Sequence, residues 1–185
     1  MKITLLSGSS RVNALSIRVA NLLKNEIEKN YAQVQVQILD IRDFPLPFIE
    51  NAWPTHDAIP TTHVALKPLL FDADAVILIS PEYNGSYSPV MKNLLDHFPK
   101  FSRKAFGICT YTNGAMGGMR AAMQMQQLIC GIFGVPCPQM LLIGGVEKKI
   151  DENGQLIDPT FQRSIDGFLT EFIWLSQSIY EAKRK

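Results

Sequence analysis

Apolar and polar residues follow two periods along the chain, and these periods predict strands and helices in alternation. Five short apolar runs are typical of β-strands. The third run is apolar throughout, as expected for a central parallel strand covered on both faces, whereas the second alternates Gln with Val or Ile. The runs are ITLL (3–6), QVQVQIL (33–39), AVILIS (75–80), KAFGICTY (104–111) and PQMLLIGG (138–145).

Between these runs, apolar residues recur at three- and four-residue spacing and predict helices. The first predicted helix covers 16–29, with Ser16 as a plausible N-cap. Residues 40–60 hold four prolines and little periodicity, so we expect an irregular excursion that covers a site or meets a partner. The other predicted helices cover 61–73, 90–98, 121–133 and about 160–182.

Strands that alternate with helices predict an α/β fold, with one parallel sheet, right-handed crossovers and helices on both faces. Two arrangements compete: the flavodoxin-like strand order 2-1-3-4-5 and half of a Rossmann fold. In the first, the second strand lies at an edge, which agrees with the polar face of 33–39. We expect a single domain over 1–185, with ligands at the carboxyl ends of the strands.

Composition and charge narrow the function classes. The 185 residues are 46% hydrophobic and 19% charged, and the net charge of +1 gives no reason to expect nucleic acid. No run is long enough to span a bilayer or to act as a signal peptide. Three cysteines without a CxxC motif fit a reducing, cytoplasmic location. The histidines, at positions 56, 63 and 97, lack metal-site spacing, so no metal is expected.

Three loops rich in Gly, Ser and Asn follow the first, third and fourth strands, and a parallel sheet brings such loops to one edge. The first, SGSSRVNALS (7–16), leads into a helix and would suit an anion such as phosphate. Ser9, Arg11, Asn13 and Ser16 would supply its side-chain donors, although a simple helix cap explains the loop equally well. The loop matches neither GxGxxG nor GxxxxGK[ST], so a Rossmann dinucleotide site or a triphosphatase is not indicated.

The other two loops suit a flat ring with polar edges. In SPEYNGSYSP (80–89), two prolines stiffen the chain, tyrosines offer flat faces, and Asn84 offers hydrogen bonds. In TNGAMGGMR (112–120), Gly114, Gly117 and Gly118 would let a ring approach the backbone. The alternatives are loop packing for the tyrosines, especially Tyr87, a solvated carboxylate for Glu82, and an ordinary glycine-rich turn.

The sequence resembles the NADPH-dependent FMN reductases and related flavin-dependent quinone, azo-dye and chromate reductases. The segment SPEYNGSYSPVMKNLLD (80–96) carries the strongest likeness, supported by GSSRVNALS (8–16) and NGAMGG (113–118). IRDFPLPF (41–48) and DENGQLID (151–158) match more faintly. His97 departs from the pattern, because relatives often carry Trp there.

The resemblance implies a flavodoxin-like three-layer fold that binds FMN non-covalently. Ser9, Arg11 and Ser16 would hold the phosphate, and the stretch from Pro81 through Glu82 and Tyr83 to Asn84 would line the isoalloxazine ring. Gly114 and Gly117 would lie at its pyrimidine end. The implied reaction is a ping-pong hydride transfer from NADPH or NADH to FMN and on to an acceptor, with no acid or base residue on which catalysis depends.

The resemblance leaves the acceptor open among quinones, azo dyes, metal oxyanions and free flavin. It also implies a homodimer or homotetramer, to which Trp53 and the Met-rich stretch 116–125 could contribute. A flavodoxin-like electron carrier, or a flavin-binding redox sensor without turnover, is the alternative. The net charge of +1 argues against a carrier, because such carriers tend to be strongly acidic.

Overall fold

The apolar runs form one parallel β-sheet in a computed structural model that describes residues 1–184, apart from the side chain of His56. The sheet consists of β1 (Lys2–Ser7), β2 (Gln35–Asp40), β3 (Ala75–Pro81), β4 (Ala105–Thr112), β5 (Val135–Pro136) and β6 (Leu141–Gly144). Its order is β2-β1-β3-β4-β5, and β6 also pairs with β4. The flavodoxin-like order is therefore confirmed, with β2 at the edge as expected from its polar face.

Within residues 1–184, four α-helices cover the sheet: α1 (Leu15–Asn30), α2 (Pro89–His97), α3 (Met119–Gly131) and α4 (Gln162–Ala182). One core cluster joins α1 and α4 to one face of the sheet, through residues such as Val19, Ile77 and Phe168. The other joins α2 and α3 to the opposite face, through residues such as Leu78 and Met125. The prediction of helices on both faces is confirmed.

The prediction that Ser16 caps α1 is wrong. The helix begins one residue earlier, at Leu15, and Ala14 precedes it without a side-chain hydrogen bond. Ser16 is fully buried, and its hydroxyl lies 2.9 Å from the hydroxyl of Ser7 at the end of β1. The Ser16 hydroxyl therefore forms a polar contact between α1 and β1 and does not cap the helix.

The helix predicted over 61–73 is also replaced by shorter elements. A 3₁₀ turn covers Thr61–His63, and a π-helical turn covers Lys67–Phe71, where the Asp72 N–H donates to the Lys67 carbonyl over 3.0 Å. Pro68 lies inside this segment and has no N–H to continue a regular helix. Pro68 therefore cannot donate the hydrogen bond to the residue four positions earlier that an α-helix requires, and the apolar spacing here does not produce an α-helix.

The predicted fifth strand is split into β5 and β6. From Phe106 to Cys109, β4 advances three residues, while its partners advance five, from Pro136 to Leu141. Two residues are therefore extra on the partner side. An even number keeps the alternation of faces, so Leu141 stays buried after the interruption.

The excursion over 40–60 is largely irregular, as predicted, and α2 holds it in place. The amide of Asn93 accepts from the Ile49 N–H over 2.9 Å and donates to the Pro47 carbonyl over 2.8 Å. The Trp53 N–H donates to the carbonyl of His97 over 2.8 Å, and the two rings lie 5.1 Å apart. Three hydrogen bonds thus fix the excursion along α2, from Asn93 to the end of the helix at His97.

Candidate functional site

The loops after β1, β3 and β4 meet at the carboxyl edge of the sheet. They enclose a cleft of about 180 Å³. All three loops contribute to its lining, which comprises Arg11, Leu15, Pro81, Glu82, Tyr111, Thr112 and Asn113. The cleft therefore lies at the edge of the sheet where the sequence predicts a ligand.

The first loop is anchored at its start and open at its centre. The Gly8 N–H donates to the Ile79 carbonyl over 2.9 Å, and a Cβ at Gly8 would lie 2.8 Å from that oxygen. In residues 1–184, the backbone N–H groups of Ser10, Val12 and Asn13 donate to no protein acceptor. Free N–H groups before a helix bind an anion well.

Arg11 connects the first loop to the second. Its guanidinium carbon lies 5.2 Å from the ring centroid of Tyr83, a cation–π contact. Its backbone N–H points toward the hydroxyl of Ser9 at 3.4 Å, and Ser9 is 1% exposed. The cation is thus held at the cleft beside a ring, while remaining exposed enough to meet a ligand.

The second loop is built as a miniature hairpin. Tyr83 and Ser86 exchange two backbone hydrogen bonds, of 2.7 and 2.9 Å. Asn84 and Gly85 form the tip with φ of 49° and 81°, as a two-residue turn with positive φ requires. The Ser88 N–H donates to the Ser80 hydroxyl over 2.8 Å and closes the loop behind the turn.

Two further side chains of the second loop make contacts outside the cleft. Glu82 faces Arg120 of α3, with an oxygen–nitrogen distance of 3.6 Å, and joins the second loop to the third. Tyr87 packs against the core on the α2 face, and its burial, followed by the charge of Asp96, raises the pKa of its phenol to about 12. Tyr87 therefore fills a packing position.

In the third loop, the glycines differ in what surrounds them. A Cβ at Gly117 would lie 2.9 Å from backbone atoms of Ile143 and Leu142, so packing against β6 already explains that glycine. A Cβ at Gly114 would meet only the Thr112 hydroxyl at 3.7 Å, so its surface is open. Of these two predicted residues, Gly114 has the free surface that a ligand needs.

Tyr111 is a site residue that the sequence reasoning missed. It is 4% exposed and lines the cleft, with its hydroxyl near the hydroxyls of Ser16 and Ser9. Burial raises the pKa of this phenol. The feature that could have identified Tyr111 is its position near the end of β4, where it pairs in register with Pro81 of the second loop.

The remaining predicted residues lie around the cleft. Ser16 is buried beside Tyr111 and Ser7 and is not part of the cleft lining, and Asn84 is exposed at the hairpin tip. Asn13 lines a neighbouring cavity of about 560 Å³ together with Arg18 and Arg42. A direct contact of each with a cofactor stays a prediction.

A parallel sheet of flavodoxin-like order, with three loops meeting at its carboxyl edge, is the architecture of a class of mononucleotide-binding proteins. The sequence profile of the NADPH-dependent FMN reductases matches residues 1–147, and the chain belongs to that family. It is an NAD(P)H-dependent flavin oxidoreductase with FMN as its cofactor. In residues 1–184, no helix is long and apolar enough to cross a membrane.

Individual relatives agree with this assignment. An FMN-dependent NADPH-azoreductase of Staphylococcus aureus is 26% identical over 188 residues, covering 98% of each chain. FerB, a flavoenzyme NAD(P)H:(acceptor) oxidoreductase from Paracoccus denitrificans, superposes with a TM-score of 0.80 at 21% identity, over 96% of this chain and 97% of FerB. A flavodoxin mutant from Pseudomonas aeruginosa superposes with a TM-score of 0.52 at 14% identity, over 93% and 99%. The two structural likenesses support the fold.

Residues of the three loops fit FMN. The free N–H groups of the first loop and the Arg11 guanidinium match a phosphate in charge and hydrogen bonding. The Tyr83 ring, the Pro81 ring and the open surface at Gly114 offer flat contacts for a ring system. The two kinds of surface lie next to each other, as a phosphate and a ring joined by a short chain require.

Proposed function

We propose that the protein is a ping-pong reductase whose FMN phosphate binds the first loop and whose isoalloxazine ring lies between the second and third loops. The observation that carries this proposal is the free donor set of the first loop, next to the cleft lined by all three loops. Ser9, Arg11, Asn13 and Ser16 belong to the phosphate side. Pro81, Glu82, Tyr83, Asn84, Gly114 and Gly117 belong to the ring side.

FMN held by these loops would supply the redox chemistry, a hydride transfer from NADPH or NADH followed by transfer of two electrons to an acceptor at the same site. The chain's residues bind and orient. Arg11 neutralises the phosphate and keeps Tyr83 beside the cleft. Thr112 and Gly114 define an open backbone edge where N–H groups would stabilise negative charge on a ring.

A small molecule is the proposed acceptor, from the quinones, azo dyes, metal oxyanions or free flavins. The azoreductase of Staphylococcus aureus makes an azo dye the first compound to test. An electron carrier or a non-turnover sensor is the alternative, and the net charge of +1 disfavours the carrier.

We also propose a homodimer or homotetramer in the cytoplasm. Three methionines near the third loop, Met116, Met119 and Met123, are about half exposed. Exposed methionines next to a ligand cleft suit contact with a second subunit. Sedimentation velocity would test this, and a monomer at micromolar concentration would count against it.

An absorbance titration tests the catalytic proposal. Purified protein is loaded with FMN, freed of excess, and mixed anaerobically with NADPH. Bleaching of the retained flavin band within seconds, followed by recovery on adding an azo dye or quinone, is the expected result. A retained band that does not bleach would favour a carrier or sensor.

Arg11→Ala tests the assigned phosphate side. Loss of a charge-assisted contact to phosphate should weaken FMN binding by about tenfold or more, measured by flavin fluorescence quenching. Arg163→Ala, which removes an exposed arginine from α4, is the matched control and should leave FMN affinity unchanged. Equal FMN affinity in wild type and Arg11→Ala would remove Arg11 from the site.

A further inference from the structure

A second cavity lies behind the first loop. Its volume is about 340 Å³, within the range of small-molecule sites. Its walls are mostly apolar and come from the start of the excursion and the first turns of α2, including Phe44, Leu46, Val90 and Leu94. Ser10 of the first loop also lines it, so the cavity adjoins the proposed phosphate site.

Arg42 supplies a fixed guanidinium to this cavity, as the cationic half of an ion pair with Asp40. Its Nε donates to Asp40 Oδ1 over 3.0 Å, its Nη2 donates to Asp40 Oδ2 over 2.6 Å, and its Nη1 donates to the Val12 carbonyl over 2.9 Å. Each Nη carries a second N–H, so two donors remain for a ligand. The side chain is 32% exposed, and the guanidinium is therefore held in place without being covered.

Asn93 gives the cavity a fixed opposite wall. It lines the cavity and hydrogen-bonds both Ile49 and Pro47 of the excursion. The excursion is therefore tied to α2 on one side and, through Arg42, to the first loop on the other. Because the chain is already held on both sides of the cavity, a ligand that enters loses little binding free energy to ordering the chain.

We propose that this cavity binds a flat aromatic ring that carries an anionic group, the far end of a substrate whose reacting end lies at FMN. Phe44 and the aliphatic walls would take the ring, and Arg42 would take the anion. Both the adenosine 2′-phosphate half of NADPH and the aryl sulfonate end of an azo dye have this chemistry. The substrate assignment rests on the proposed function, whereas the cavity and its ligand chemistry do not.

Calorimetric titration with two probes tests the proposal, on the protein with and without bound FMN. Adenosine 2′,5′-bisphosphate represents the nucleotide, and naphthalene-1-sulfonate represents the dye. We expect at least one probe to bind wild type and to bind about tenfold more weakly to Val90→Phe, which places a ring in the cavity wall where the ligand ring would lie, and to Arg42→Gln, which removes the guanidinium. Ile157→Phe adds the same ring at an exposed residue outside the cavity lining and should bind as wild type does.

The outcomes separate the two proposals. Binding of the bisphosphate assigns the cavity to the nucleotide, and binding of the sulfonate alone assigns it to the acceptor. If neither probe binds, or if both cavity variants bind like wild type, the inference is wrong even when FMN bleaches normally. If FMN is not retained while a probe binds and both variants weaken it, the proposed function fails and the cavity's ligand chemistry stands. Thermal melts of each variant confirm that it is folded.

Discussion

Gly117 offers a sharp test of how the third loop is held. Its φ is +62°, and a Cβ there would lie 2.9 Å from backbone atoms of Leu142 and Ile143, which cannot turn aside as a side chain would. Gly145 has nearly the same backbone, with φ of +61°, but a Cβ there would have nothing within 4 Å. The two glycines therefore share the conformational requirement and differ only in crowding.

Alanine at each position separates the two costs. The left-handed conformation costs an alanine about 1–2 kcal/mol at either position. Crowding against β6 adds about 1–3 kcal/mol at Gly117 alone. We expect Gly145→Ala to lower the free energy of unfolding by roughly 1–2 kcal/mol and Gly117→Ala by roughly 2–5 kcal/mol.

Urea unfolding followed by circular dichroism measures both values. A crowding term of about 2 kcal/mol would also separate the melting temperatures by roughly 4–8 °C in a chain of this size. Equal destabilisation by the two variants, within about 0.5 kcal/mol, would refute the contact between the third loop and β6. A larger loss at Gly145 would refute the reasoning altogether.

Two further predictions concern Lys104 and Asn93. Burial lowers the pKa of Lys104 from 10.5 to about 7. Between these pH values the unfolded chain binds more protons than the folded chain, so the contribution of Lys104 to the free energy of unfolding rises with pH. Below pH 7 this contribution does not change with pH. In urea melts, the stability of wild type relative to Lys104→Met should rise between pH 7 and 10, by at most about 1.4 kcal/mol per pH unit, and a flat or falling difference would contradict this. Asn93→Ala removes both amide hydrogen bonds to the excursion, so limited proteolysis within 44–55 should be faster than in wild type. Lys92→Ala, at the neighbouring residue, is the control and should be cleaved at the wild-type rate. Equal cleavage rates in the two variants would contradict the role assigned to Asn93.

Much of the sheet could be predicted because its signals are local. The all-apolar run at 75–79 and the Gln alternation at 33–39 predict a central and an edge strand, and the structure agrees with both. The helix predicted at 61–73 failed because Pro68 outweighs its apolar spacing. The split of the fifth strand could not be read locally, since it depends on how 135–144 pairs with β4.

The candidate site could also be predicted only in part. The sequence located the three loops, because parallel topology brings the ends of neighbouring strands together. It missed Tyr111 because a tyrosine inside an apolar strand looks like any core residue until its hydroxyl partners are known. It missed Arg42 because the cavity exists only once the excursion folds back onto α2. Both depend on contacts between residues far apart in the chain.

The hairpin at Tyr83–Ser86 has a consequence for the kinetics of ligand capture. Its two backbone hydrogen bonds and left-handed tip are complete within four residues, so the chain supplies the shape by itself. A ligand that binds a preorganised surface loses little affinity to ordering that surface. Its association also requires no slow rearrangement of the loop. Cofactor uptake should then follow a single bimolecular phase whose rate rises linearly with FMN concentration, rather than levelling off as a rate-limiting loop motion would require.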